Sequence, residues 1–308
     1  MPKDTAILFS SSNAYAFALF TSIKTFLANS PQLAARSDLY VYTYRWDVKT
    51  KDLFRQEFGV TLVDFDLPSS IPHSKSIEYF TPALFARFEG FALLQKYKHV
   101  VCMDSDILVQ KELVNVLEQA TQPIGMTLDG LPSVQQNFWG DIPGYNLSVP
   151  CFNAGFIVLH HRPDAARIHQ WLYDMLQKYA PICYLGDQGL INLALQAFNI
   201  TPTVLPALYN LPASRPTRLL KQAYIIHATG PRKFWQYYYF DEWYKSYARW
   251  AQLSHQPITI RTNTPAWDKL LRTTGWGRHV FFQLAPDAVR YPGKFLLFCF
   301  KRLLRIRY

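Results

Sequence analysis

Cysteine is sparse. Cys102, Cys151, Cys183 and Cys299 are the only four in 308 residues, and no two form a Cys-x-x-Cys pair. That excludes a cysteine-built zinc site and a disulfide framework, and fits a reducing compartment. Glycine-rich phosphate loops are missing as well: there is no Gly-x-x-x-x-Gly-Lys-Ser/Thr loop and no Gly-x-Gly-x-x-Gly turn. A phosphorylated ligand would therefore need a metal ion and single cationic side chains, not a backbone cradle. No long apolar run opens the chain, since Met1-Pro-Lys-Asp-Thr leads only into Ala6 to Phe9. The expectation is a cytoplasmic protein with neither a secretory signal nor a membrane span. Internal repeats and low-complexity tracts are also lacking. Acidic residues are outnumbered, giving a net charge of +10, but six of the basic residues fall in 290–308, where no acidic residue occurs. The remaining 26 basic and 22 acidic residues nearly balance, so no face is expected to bind nucleic acid.

What the chain does have is apolar residues, 49% of the total, enough for a large core. Strand and helix patterns alternate. Ala6 to Phe9 reads as a strand, followed by a helix with Ala16, Phe20, Ile23 and Leu27 at helical spacing. Strands over Leu39 to Tyr44 and Val60 to Val63 flank a helix over Asp52 to Phe58. A long amphipathic helix is expected over Thr81 to Tyr97, with Leu84, Phe88, Phe91 and Leu94 or Gln95 inward and Arg87 among them. Further helices are expected over Gln110 to Ala120, Ala165 to Tyr179 and Leu190 to Phe198, with strands over Pro123 to Leu128 and Ala223 to Ile226. Such alternation predicts an α/β fold, a mostly parallel sheet flanked by helices. The expected division is a catalytic domain over 1–250 and an extension over 251–308.

The apolar run Val100 to Met103 reads as a buried strand, and Asp104 and Asp106 arrive at its carboxyl end. In open α/β sheets that edge is where ligands bind. Two carboxylates there suit Mg²⁺ or Mn²⁺, which leave coordination positions for a diphosphate. Asp64 and Asp66 make a second such pair, and aspartate after a strand is also an ordinary turn residue. Spacing alone does not choose between the pairs. The loop Leu131 to Pro150 is long, and Ala154-Gly155 permits close backbone approach before another apolar strand.

In chain order stand Asp104-x-Asp106, Phe152-Asn-Ala-Gly155, Asp187-Gln188 before a helix, and His227-x-x-Gly230-x-x-Lys233-x-Trp235. Together they resemble glycosyltransferase family 8, above all the bacterial lipooligosaccharide α-galactosyltransferases and glucosyltransferases. The resemblance implies the GT-A fold, a UDP-sugar donor, Mn²⁺ or Mg²⁺, and transfer with retention. It implies Asp104, Asp106 and His227 as metal ligands, so the metal pair is not Asp64 and Asp66. It places Lys233, in the stretch that holds Gly230, at the diphosphate, and Arg87 and Asn153 on the donor. Asp129 and Asp187 would meet the sugar hydroxyls, and Gln188 would lie by the anomeric carbon. Three positions depart from the family pattern: Ser12 and Asn13 replace an acidic pair at the base, Gly189 replaces a second aspartate, and Phe234 replaces proline.

Gln188 is an amide and a poor nucleophile, so front-face attack by the acceptor hydroxyl is expected, with Asp187 as the reserve nucleophile. A metal-dependent nucleotidyltransferase and a non-catalytic binding protein for anionic surfaces are the competing classes. Lys294 to Tyr308 reads as a basic amphipathic helix, with Leu296, Phe300 and Leu303 opposite Lys294, Lys301 and Arg305. It is expected to dock the enzyme peripherally on an anionic membrane near a lipid-linked saccharide acceptor; the rival reading is a helix packed on the catalytic domain.

Overall fold

A computed structural model describes residues 3–230, 232–235 and 240–255. The tail over 290–308 lies outside the described residues, as does all but the beginning of the 251–308 extension. In chain order the elements are β1 (Thr5–Ser12), α1 (Ala16–Asn29), α2 (Pro31–Ala35), β2 (Ser37–Tyr44), α3 (Val48–Phe58) and β3 (Thr61–Asp64). Then come α4 (Lys75–Phe80), a 3-10 helix (Pro82–Phe88), α5 (Glu89–Leu93), β4 (His99–Met103), β5 (Ile107–Val109), α6 (Val116–Gln119) and β6 (Ile124–Leu128). The rest are β7 (Phe152–His160), α7 (Ala165–Tyr179), α8 (Gly186–Ala197), β8 (Thr203–Val204), β9 (Leu211–Pro212), α9 (Thr217–Leu220), β10 (Ile225–His227) and α10 (Asp241–Ser254).

Seven strands form one sheet in the order β3-β2-β1-β4-β7-β6-β8. All neighbours run parallel except β7, which is antiparallel to both β4 and β6. The sheet is covered on both sides, so the middles of its central strands, Ala6 to Phe9, Val100 to Met103 and Phe156 to Leu159, are apolar without interruption and successive residues feed opposite cores. Ile7, Phe9, Val101, Met103, Phe156 and Val158 face one core, shared with α1, α3 and α10. Ala6, Leu8, Val100, Cys102, Ile157 and Leu159 face the other, shared with Phe85, Phe88, Phe91, α7 and α8. Phe20 on α1 meets Phe54, Phe58 and Trp250 with ring centroids 4.8–6.0 Å apart. Phe20 and Phe54 are fully buried, and each contributes roughly 1.5–3 kcal/mol of transfer free energy. A small second sheet, β5-β10-β9, stands beside the first.

Two helices expected from periodicity are not built. The stretch from Thr81 to Tyr97 is not one α-helix: Thr81, at φ +66°, and Pro82 open a 3-10 helix over Pro82–Phe88, and only Glu89–Leu93 is α-helical. Phe85 to Phe88 are all buried, so this segment passes through the interior instead of laying one stripe on a core, and it winds as a 3-10 helix. From Gln110 to Ala120 only Val116–Gln119 is helical. There the Glu112 carboxylate accepts from the backbone N–H groups of Gln32, Leu33, Leu113 and Val114 and from Ser30 Oγ, which holds the chain in a loop. The strand expected over Ala223 to Ile226 forms as β10 but belongs to the small sheet.

Candidate active site

The second sheet assembles the site. Asp104 follows β4, and its N–H donates to Gly155 O on β7 at 3.0 Å. Asp106 precedes β5, which pairs antiparallel with β10 and sets Ile107 opposite His227; Ala228 N donates to Asp106 O at 3.0 Å. One loop and one strand end therefore deliver three side chains to a point. His227 Nε2 lies 3.3 Å from Asp104 Oδ2 and 3.2 Å from Asp106 Oδ1. Candidate ligand atoms of Asp104, Asp106 and His227 fall within 4.8 Å of one another, the only such cluster among the described residues. Gly155 makes room for it: a Cβ there would stand 2.6 Å from His227 Nδ1 and 2.9 Å from Asp104 Oδ2. Gly230, at φ +73°, turns the chain after β10 so that Lys233 Nζ reaches Asp106 Oδ2 and, at 3.0 Å, Ala228 O.

Behind the triad lies a buried charge line. Arg87 is only 5% exposed; its Nη2 bonds Asp104 Oδ1, and its Nη1 donates to Ala154 O at 2.7 Å. Asp187 Oδ2 is 2.6 Å from Nη1 but lacks hydrogen-bond alignment with it, so the contact is chiefly one of charge. Gln188, beside it on the first turn of α8, is held on every side. Its Oε1 accepts from Ala154 N at 3.1 Å, and its Nε2 donates to Asn137 Oδ1 at 3.1 Å, with Cys151 Sγ at 3.6 Å. Gly189 is required by packing, because a Cβ would stand 2.6 Å from Phe138 Cζ and 2.9 Å from Asn137 Cβ.

Burial opposes ionisation of both carboxyls at this candidate metal site. Lys233 and His227 outweigh it at Asp106, and Arg87 and His227 at Asp104, so both lie below the usual carboxylate range. For His227, burial disfavours the cation, but Asp106 and Asp104 overcome it and hold the imidazole proton up to about 9. Asp187 goes the other way: burial dominates, Arg87 only partly offsets it, and its carboxyl rises to about 6. Two carboxylates and an imidazole suit a divalent cation such as Mn²⁺ or Mg²⁺. His227 Nδ1 is already bonded to Asn210 Oδ1 at 2.8 Å, so Nε2 is the atom aimed at both carboxylates.

The other sequence candidates divide. Asn153 and Asp129 come together, with Asn153 Nδ2 donating to Asp129 Oδ2 at 2.5 Å. A register shift between Met126, opposite Ile157, and Thr127, opposite Asn153, leaves residues 154–156 of β7 outside the pairing with β6, and this irregularity sets the side at which Asn153 meets Asp129. Ser12 Oγ is buried without a hydrogen-bond partner among the described residues. Asn13 is already committed to Asp47, the N-cap of α3, through a 2.9 Å bond. Asp64 pairs with Lys51 and Thr43, and Asp66 accepts from its neighbour Leu67 N; they share no site. Phe234 is fully buried against Phe240 and Trp243. Sequence reasoning missed Asn137 and Asn210, each joined to a site residue only by tertiary contact.

Solved structures with this architecture include the bifunctional glycosyltransferase WbbM (TM-score 0.64, 17% identity, covering 83% of this chain and 52% of that one). Galactosyltransferase LgtC, solved with donor and acceptor sugar analogues, aligns with TM-score 0.53 and 18% identity over 83% of this chain and 97% of its own. GlyE of Streptococcus pneumoniae aligns with TM-score 0.54 and 18% identity over 85% of this chain and 66% of its own. The chain thus spans about half the length of WbbM. These likenesses establish a GT-A fold. No curated protein matches by sequence. The profile named "Glycosyl transferase family 8", however, matches residues 6–238, well over half of the sequence, and the chain belongs to that family of glycosyltransferases.

Proposed function

We propose that this glycosyltransferase moves a hexose, galactose or glucose, from a UDP-sugar to a saccharide acceptor with retention. The observation that carries the reading is the convergence of Asp104, Asp106 and His227 with Lys233 alongside. A bound Mn²⁺ would neutralise charge on the diphosphate oxygen that leaves the sugar. Asp104, Asp106 and His227 Nε2 would hold it. Lys233, now paired with Asp106, sits where an ammonium can turn to the same oxygen, adding electrostatic stabilisation where charge develops. Asn153 and Asp129 on one side and Arg87 and Asp187 on the other supply polar groups for the sugar hydroxyls.

Gln188 is a poor nucleophile by chemistry, and its oxygen already accepts from Ala154 N. Front-face attack follows: the acceptor oxygen bonds the anomeric carbon as the bond to the diphosphate oxygen breaks, and that oxygen takes the acceptor's proton. The acceptor is proposed to be a lipid-linked saccharide of a surface glycan, such as lipooligosaccharide, reached by docking of the 290–308 tail at the inner face of the membrane. No helix among the described residues is long and apolar enough to cross a bilayer.

The test is hydrolysis of UDP-galactose and UDP-glucose without acceptor, with and without Mn²⁺. Release of UDP and free hexose, lost on chelation, is expected. Release of UMP and sugar 1-phosphate would identify a nucleotidyltransferase, and no release would favour a binding protein.

Variants separate the roles. Gln188→Ala is expected to lower turnover at least tenfold while UDP affinity changes less than threefold, and Lys233→Ala to weaken both. A Gln188→Ala enzyme that loses UDP affinity and keeps turnover would place this side chain at the nucleotide.

A further inference from the structure

Asp129, Asn153, Asn210 and His227 form one hydrogen-bonded line whose polarity can be read from one end. A carboxylate only accepts, so Asn153 must turn its Nδ2 to Asp129, at 2.5 Å. Asn153 Oδ1 then faces the other way and accepts from Gly155 N at 2.8 Å and from Asn210 Nδ2 at 2.7 Å. Asn210 Nδ2 is also 3.3 Å from Thr127 Oγ1. With its amide nitrogen so placed, Asn210 can offer only Oδ1 to His227, at 2.8 Å. An acceptor there requires a proton on Nδ1, so Nε2 is the nitrogen that gives up its proton when the ring becomes neutral and then offers a metal its lone pair. Asn210 is 5% exposed and lies at the end of the turn before β9, so water does not compete for these bonds.

We infer that Asn210 is a positioning residue that fixes the Nδ1–H tautomer and ring orientation of His227 and ties the metal-binding strand end to the Asn153–Asp129 pair. The inference rests on the metal-dependent reading above. A ligand histidine held through its second nitrogen binds metal more tightly, and losing the partner weakens affinity about 10–100-fold.

Two variants separate the two bonds. Asn210→Leu removes both; Asn210→Asp keeps an acceptor for Nδ1–H but faces Asn153 Oδ1 with another acceptor. Mn²⁺ affinity, measured by calorimetry with UDP present, is expected to fall about 10–100-fold in Asn210→Leu and to stay within threefold of wild type in Asn210→Asp. Both should weaken the Asn153 link, so both should raise the KM for UDP-sugar at saturating Mn²⁺. The His227 tautomer can be read directly by ¹⁵N NMR of histidine-labelled wild type with Mg²⁺ and UDP, which needs no variant to fold: Nδ1–H is expected. An Nε2–H tautomer, an Asn210→Leu protein that keeps Mn²⁺ affinity within threefold, or an Asn210→Asp protein that loses as much as Asn210→Leu would each overturn the assignment alone. A wild type that binds neither Mn²⁺ nor Mg²⁺ would overturn the metal reading and this assignment with it.

Discussion

Gly155→Ala is expected to abolish metal binding and transfer together, with losses as large as those of Asp106→Asn. The reason is steric. The added Cβ would overlap the His227 ring and stand 2.9 Å from Asp104 Oδ2, so one methyl group meets two of the three candidate ligands. Neither neighbour can yield freely: His227 is held from behind by Asn210, and Asp104 by Arg87. Backing the main chain away is blocked as well, because Gly155 O accepts from Asp104 N just past the end of the β4–β7 ladder. Gly140→Ala is the control, since its Cβ would meet only Ile182 Cδ1 at an ordinary 3.9 Å. Asp66→Asn should likewise leave transfer unchanged. Mn²⁺ titration by calorimetry, with circular dichroism to confirm the fold, checks the set. Normal Mn²⁺ affinity in folded Gly155→Ala would show that the metal does not sit between His227 and Asp104.

Much of this was legible from the chain, and the part that was not has a common cause. Strands β1, β4 and β7 announce themselves because a sheet covered on both faces leaves an uninterrupted apolar run in the middle of each. Ala154-Gly155 announces close approach because nothing larger fits. Asp104 and Asp106 could be placed at a strand end, but separating them from Asp64 and Asp66 took either the family's order of motifs or the return of β10. The 3-10 segment reads as a plain helix because Leu84, Phe88 and Phe91 keep helical spacing, while the burial of Phe85 and Ala86 between them depends on α8 and β1 lying across. Asn13, proposed for the base, illustrates the same limit: its amide is taken by Asp47, 34 residues away. Asn137 and Asn210 hold Gln188 and His227 through bonds spanning 51 and 17 residues. No local signal marks such pairs, since an asparagine in a turn looks the same whether or not a histidine later arrives beside it.

Asp187→Asn is expected to make the protein more stable at neutral pH while removing most of its transferase activity. Asp187 is 3% exposed, and burial raises its carboxyl from 3.8 to about 6 even with Arg87 beside it. The native state therefore binds the proton more tightly than the unfolded chain does. As pH rises from about 4 to about 6, native stability falls, and above that range the full penalty of an ionised buried carboxylate is present. At 1.36 kcal/mol per pKa unit the penalty reaches about 3 kcal/mol at pH 7, a substantial share of a typical folding free energy of about 5–15 kcal/mol. Asparagine has the same shape and no charge to bury. Arg87 would keep its bonds to Asp104 and Ala154 O, so the substitution strands no cation. The stability gain should be full at pH 7 and vanish below about pH 4, where the wild-type carboxyl is protonated in both states. Urea melts of metal-free wild type and variant at pH 7 and pH 4 measure it. A variant less stable at pH 7 would mean that attraction to Arg87 outweighs burial. A gain in stability beside a loss of transfer would instead identify Asp187 as a residue kept for the donor sugar against the interest of the fold, since an acceptor that can release its proton near neutral pH serves a sugar hydroxyl better than an amide does.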